Sequence, residues 1–217
     1  MGSNDRELDW YARTRYLYYR DGECKGWEGA PGDPWEGRRF AVRVDRRPRH
    51  HKPQTKTEKS GASDGVMAPG SLLALSLPEL AALVSRGCSV LPGVCEGRRT
   101  PDAWVSQELF FIDVDNDEAA RANGYAYLPY TYAVERAFCY GLPLAMSYES
   151  FGSTCDPGGG QRYRLVFAAP REIRDKEEAA RFASGLLAAY PEADRTTVQC
   201  NRLFYGTDKE VCVWGRL

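Results

Sequence analysis

The chain has 217 residues, 43% of them hydrophobic and 12% aromatic, enough for one sizeable core or two small ones. A charged fraction of 27% argues against wholesale disorder, and a formal net charge of -1 excludes a uniformly basic nucleic-acid binder. No run of about eighteen apolar residues occurs, so no membrane-spanning helix is expected, and the polar, acidic Met1–Trp10 is unlike a signal peptide.

Tyr11 to Tyr19 is aromatic-rich and alternates loosely, which predicts a strand. Gly and Pro make "GWEGAPGDPWEG" a loop, and "RRFAVRV" reads as a second strand. The next stretch, "DRRPRHHKPQTKTEKSGASDG", has no apolar period and is expected to be a long polar loop or a disordered segment. Between Arg38 and Lys59 nine Lys/Arg face two acids, Asp45 and Glu58, so a basic arm sits on an acidic remainder. Such an arm suits either a polyanionic partner or a solvated linker. "LSLPELAALVSRG" predicts a short helix, with Ser76 as cap, Pro78 and Glu79 in the first turn and Gly87 at the end. "CSVLPGV" reads as a short strand and "EGRRTPDAW" as a basic turn.

Leu109 to Val114 is an apolar strand that runs into Asp113 and Asp115. A helix over Ala133 to Gly141 follows, then a strand in "PLAMSYES", a glycine turn in "TCDPGGGQ" and a strong strand in "RYRLVFAAP". On that strand Arg162 and Arg164 share one face, with Tyr163, Leu165 and Phe167 on the other. "DKEEAARFASGLLAAYP" is the clearest helix, and "RLFYG" and "EVCVWG" are expected to pair as strands around "TDK". The order predicts an α+β fold: a mixed or antiparallel central sheet with helices packed on one face.

Asp113 and Asp115, two apart in a strand, share a face, with Val114 turned into the core. Two carboxylates so close repel each other unless a cation sits between them, and hard oxygen donors suit Mg²⁺ or Mn²⁺. The alternative is an acidic, solvated turn. Haloacid-dehalogenase-type phosphatases, manganese-dependent nucleotide-sugar glycosyltransferases and palm-type nucleotidyl transferases all place an apolar strand before such a pair. The first are disfavoured because Asp117 and Glu118 stand where a hydroxyl is needed.

Two later stretches bear on the choice. Ser147 to Phe167 joins a strand, a small-residue loop and the Arg162/Arg164 strand; Tyr190 to Val211 places Asp194 after a helix and Arg202 before "LFYG". With "FFIDVDND" they resemble the archaeo-eukaryotic primase superfamily, in particular the primase-polymerase domains of plasmids, phages and integrated mobile elements. The resemblance covers about residues 70 to 217 and implies a catalytic core with an RRM-like palm, residues 1–69 being an accessory part of the same unit. It implies that Asp113, Asp115 and Asp194 hold two Mg²⁺ or Mn²⁺ ions and that Arg162, Arg164 and Arg202 bind the incoming nucleoside triphosphate. Where many members carry Ser-x-His, this chain has Ser153 and Thr154, whose hydroxyls, with the amides of Gly158–Gly160, are expected to take phosphate.

The implied activity is DNA-directed nucleotidyl transfer onto a primer or initiating nucleotide on a single-stranded DNA template, with a helicase domain or subunit as a further partner. Arg98, Arg99, Arg47, Arg49 and Lys52 are the candidate template contacts. Tyr125, Tyr127, Tyr130 and Tyr132 either stack bases or pack on the sheet. On this reading Asp113→Ala removes synthesis and leaves the fold intact. The competitors are a catalytically inactive replication-initiator-type nucleic-acid-binding domain and the manganese-dependent glycosyltransferase. Seven irregularly spaced cysteines without a CxxC pair predict reduced thiols and a cytoplasmic protein; a zinc site on His50 or His51 with distant cysteines stays open.

Overall fold

The computed structural model describes residues 15–24, 35–154 and 160–215. Among the described residues, ten strands form two antiparallel sheets and five α-helices pack with them. The larger runs β2 (Glu23–Cys24), β1 (Arg15–Arg20), β10 (Val211–Trp214), β8 (Leu144–Glu149), β9 (Arg162–Ile173), β7 (Trp104–Asp115) and β6 (Gly93–Cys95). The smaller has β3 (Phe40–Asp45) between β4 (Leu72–Leu75) and β5 (Ser89–Leu91). The α+β class with an antiparallel sheet is therefore as the sequence predicts.

The placement of the helices differs from the expectation. One face of the large sheet is covered by α4 (Tyr130–Cys139) and α5 (Lys176–Ala189), whose Ala133, Val134, Ala137, Ala183 and Leu186 pack on Phe110, Ile112, Val114, Leu165 and Phe167. The other face is also covered, by the small sheet and α2 (Leu77–Val84), through Phe40, Val42, Val44, Leu80 and Val84 against Leu109, Phe111, Val166 and Val213. Burial on both faces is why β7 and β9 read as continuous apolar runs rather than clean alternations.

The N-terminal region is integrated with the rest. β1 pairs with β10, and β3 forms the centre of the small sheet. The stretch expected to be structureless instead contains α1 (Lys56–Met67), started by a reciprocal capping box between Thr55 and Glu58. Its buried positions are Ala62, Gly65 and Val66, too small a face to register as an apolar stripe. β4 is a further strand, absent from the expected elements. The predicted strand "RLFYG" is not paired with β10: Phe204 forms an isolated bridge to Val90 and stacks on Phe111, ring centroids 4.8 Å apart. Residues 11–14 of the first predicted strand, most of "GWEGAPGDPWEG" and residues 155–159 of the glycine turn lie outside the described residues.

α2 matches its signals: Ser76 caps it with Glu79 in a capping box, and Gly87 follows at φ +84°. A Cβ on Gly87 would sit 1.9 Å from the carbonyl oxygen of Arg49. Gly87→Ala therefore meets both a left-handed backbone and a backbone clash, and an unfolding titration should show a loss of about 2 kcal/mol or more. Among the described residues no helix is long and apolar enough to cross a membrane.

Candidate active site

The site is set by strand register. β7 and β9 place Asp113 opposite Arg164 and Asp115 opposite Arg162, so the two acids and the two arginines share one face of the sheet. The carbonyl of Asp113 points away from β9 and accepts a hydrogen bond from the backbone N–H of Asp194 at 2.9 Å. Asp194, 79 positions past Asp115 in the chain, is thereby fixed beside the acidic end of β7. Its side chain caps the short turn Arg195–Val198, accepting from Thr196 N–H and Thr196 Oγ1 at 2.8 Å each, and Arg202 lies 3.5 Å from its Oδ2.

The inner pair is closed. Arg164 Nε lies 3.3 Å from Asp113 Oδ1, with the two side chains only 6% and 11% exposed. The guanidinium sits between the rings of Tyr148 and Phe204, at 5.4 and 5.6 Å, and donates to the carbonyl of Tyr205. Burial is the largest influence and opposes its charge, but Asp113, Tyr148 and Asp115 together outweigh it, and Arg164 is held above its ordinary range. The resemblance implies that Arg164 faces a triphosphate; the structure instead turns it inward, onto Asp113 and the Phe204–Tyr205 segment. Removing Asp113 alone would leave a buried cation unpaired, so Asp113→Ala is not the fold-neutral change expected from the sequence.

The outer pair is open. Asp115 is 35% exposed, and Arg162 Nε is 3.7 Å from its Oδ1. Arg162 also makes an ion pair with Asp117, whose other oxygen accepts from Ala120 N–H at 2.7 Å and caps α3 (Glu118–Ala122). Burial, and then the charge of Asp113, push the Asp115 carboxyl above the usual range, while Arg162 and Lys52 pull it back. Asp115, Asp117, Glu192 and Asp194 line one cleft of about 480 Å³, with Ala119, Ala120, Asn123 and Tyr125. Glu192 is held by Arg136 through two bonds of 2.8 and 2.9 Å. Asn116 closes the adjoining loop, exchanging two hydrogen bonds with the backbone of Leu128 at 2.7 and 2.9 Å.

Among the described residues no group of three or more His, Cys, Asp or Glu side chains is gathered to hold a metal ion. The donor chemistry nonetheless suits a hard divalent cation. Asp113 Oδ1 is buried without a hydrogen bond, Asp115 is crowded by a like charge, and Asp115 and Asp194 open on the same cleft. Mg²⁺ is commonly held by only one or two carboxylates, with water and substrate phosphates completing its shell.

The other sequence candidates divide. Ser153 Oγ donates to Glu149 at 2.8 Å and accepts from Arg162 N–H at 3.0 Å, so its hydroxyl is engaged at the base of the loop. Thr154 N–H bonds the carbonyl of Gly160 at 3.0 Å. Arg47 and Arg49 clamp the buried Asp45 at 2.8 and 2.7 Å. Arg99 joins Ser63 to the carbonyl of Asn201, and Arg98 pairs with Asp102 on the surface. Of the five template candidates, Lys52 is exposed, and its charge favours the ionised form of Asp115. Tyr125 lines the cleft, Tyr127 and Tyr132 are exposed, and Tyr130 packs edge-on against Tyr163.

Sequence reasoning missed Asp117, Asn116, the Arg136–Glu192 pair and Lys209, whose ammonium donates to the carbonyl of Ser153. Asp117 was signalled by the alternation Asp113, Asp115, Asp117; the other three carried no local sign. No disulfide joins the described cysteines. No protein-family model, curated protein or solved structure matches the chain.

Proposed function

We propose that the chain is a primase-polymerase domain of the archaeo-eukaryotic type, its large antiparallel sheet serving as the RRM-like palm. It would join nucleoside triphosphates to a primer or initiating nucleotide on single-stranded DNA. What supports this reading is the opening of Asp115 and Asp194 on one cleft, with Asp194 bonded through its backbone N–H to the carbonyl of Asp113, the acid that shares a face with Asp115. Phosphoryl transfer needs charge neutralisation and in-line placement more than a covalent nucleophile, and an acidic cleft edged by an arginine suits it.

In this reading Asp115 and Asp194 present their carboxylates to the divalent ions, while Asp113, closed on Arg164, holds Asp194 beside them through its backbone carbonyl. Mg²⁺ or Mn²⁺, when bound, supplies neutralising charge to the polyphosphate and acidity to the attacking 3′-hydroxyl. Arg162 borders the cleft and takes phosphate oxygens. Arg202 stays beside Asp194. Arg164 acts as a positioning residue, joining Asp113 to the Tyr205 carbonyl. Lys52 is the template-side cation.

Labelled deoxynucleoside or ribonucleoside triphosphates, offered with Mn²⁺ or Mg²⁺ and a primed or unprimed single-stranded template, should be incorporated into longer strands. The buried Asp113–Arg164 pair also favours a second reading, a catalytically inactive nucleic-acid-binding domain built on the same sheet. That reading gives DNA binding without incorporation. Binding of a nucleotide sugar with indifference to DNA would instead select a glycosyltransferase.

A further inference from the structure

Arg162 is the arginine of the acid–arginine ladder that pairs with two acids lining the cleft, Asp115 at 3.7 Å and Asp117 in closer contact. The Asp117 carboxylate is divided: Oδ1 takes the Ala120 N–H and Oδ2 takes Arg162. Arg162 is not saturated. Its Nε is buried and has no hydrogen bond, and Asp115 at 3.7 Å is too far to supply one. Gly152 lies beside Nη1: a Cβ there would come within 3.3 Å of it, so the missing side chain leaves Nη1 room. A planar guanidinium that holds a carboxylate on Nη2, has room beside Nη1 and keeps an unbonded Nε is arranged to exchange one oxyanion for another.

We propose that Asp117 is an internal stand-in for phosphate: it holds Arg162 in place until a nucleotide arrives, and the polyphosphate of that nucleotide displaces it. This rests on the reading that the cleft takes a nucleoside triphosphate. Asp117 is then a positioning residue that sets how readily nucleotide enters, and its displacement leaves it as the cap of α3.

Asp117→Asn separates these roles, because Asn caps a helix as well as Asp does but is a weak partner for Arg162. Inorganic tripolyphosphate is titrated calorimetrically in EDTA into wild type, Asp117→Asn, Arg162→Met and Glu118→Gln. Glu118 is an adjacent acid on α3 and gives the same change in net charge without touching Arg162. Asp117→Asn should bind tripolyphosphate about tenfold more tightly than wild type, the gain expected from freeing one charge-assisted hydrogen bond. Arg162→Met should cancel that gain in the double variant, and Glu118→Gln should produce little of it.

Equal tightening by Glu118→Gln would reduce the effect to bulk charge and overturn the proposal, as would an unchanged affinity in Asp117→Asn. A gain confined to a single-stranded oligonucleotide without terminal phosphate would assign the site to backbone phosphate and overturn it too. The titration needs neither metal nor turnover. Failure of nucleotide incorporation with a normal Asp117 effect therefore sinks the polymerase reading alone, and the converse sinks the stand-in alone.

Discussion

On the proposed nucleotidyl-transfer reading, Asp115→Asn is expected to lower nucleotide incorporation by about three orders of magnitude, the several kcal/mol that metal-centred charge stabilisation would supply to a transition state, and the variant is expected to fold at least as stably as wild type. The two halves of this expectation have different causes. Activity falls because Asn keeps the shape of Asp115 but cannot serve as an anionic donor facing the cleft. Stability does not fall because ionised Asp115 is a burden on the fold: burial disfavours its charge first and Asp113 second. A carboxyl whose folded pKa is raised contributes stability that is present below its unfolded pKa and is lost as pH rises through the folded value. In wild type that loss is complete once the pH has climbed past the raised pKa; in Asp115→Asn it is absent. Urea titrations of both proteins across the acid range should show the wild-type curve falling relative to the variant as pH rises. A destabilised Asp115→Asn, or one that still incorporates nucleotide at the wild-type rate, would remove Asp115 from the site.

How much of this was legible beforehand depends on the range over which each feature is encoded. Period two in a strand put Asp113 with Asp115 and Arg162 with Arg164, and the register of β7 on β9 made those facing ladders. α2 was legible because its stop and start signals lie within twelve residues. α1 was not, because Ala62, Gly65 and Val66 give no apolar contrast and the capping box at Thr55 stands inside a polar run. Periodicity says which residues share a face and is silent on what covers it. The resemblance therefore left Arg164 facing a triphosphate, whereas β3, Phe204 and Tyr205 close over that face. The bond between Asp194 N–H and the Asp113 carbonyl is non-local as well. It rests on the turn after α5 returning to the open edge of β7, which β6 accompanies only as far as Gln107.

Asp113→Ala is expected to unfold far more readily than wild type, by about 3–5 kcal/mol, because it strands the buried guanidinium of Arg164. In a chain of this size that is on the order of 10 °C in melting temperature. Its loss of activity would therefore carry no information about chemistry, in contrast to Asp115→Asn. The informative protein is the double variant. Replacing the pair with Leu at 113 and Met at 164 removes both charges and keeps apolar bulk between Tyr148 and Phe204, so most of the stability should return. Full recovery is not expected, since the Tyr205 carbonyl loses the donor that Arg164 gives it. If Asp113→Ala is as stable as wild type, the pair is not the fastening described here. If the double variant is no better than the single, the cost lies in packing rather than in a stranded charge. Between these outcomes the cycle separates the inner pair, which holds the sheet to the Phe204–Tyr205 segment, from the outer pair, which is left open for a ligand.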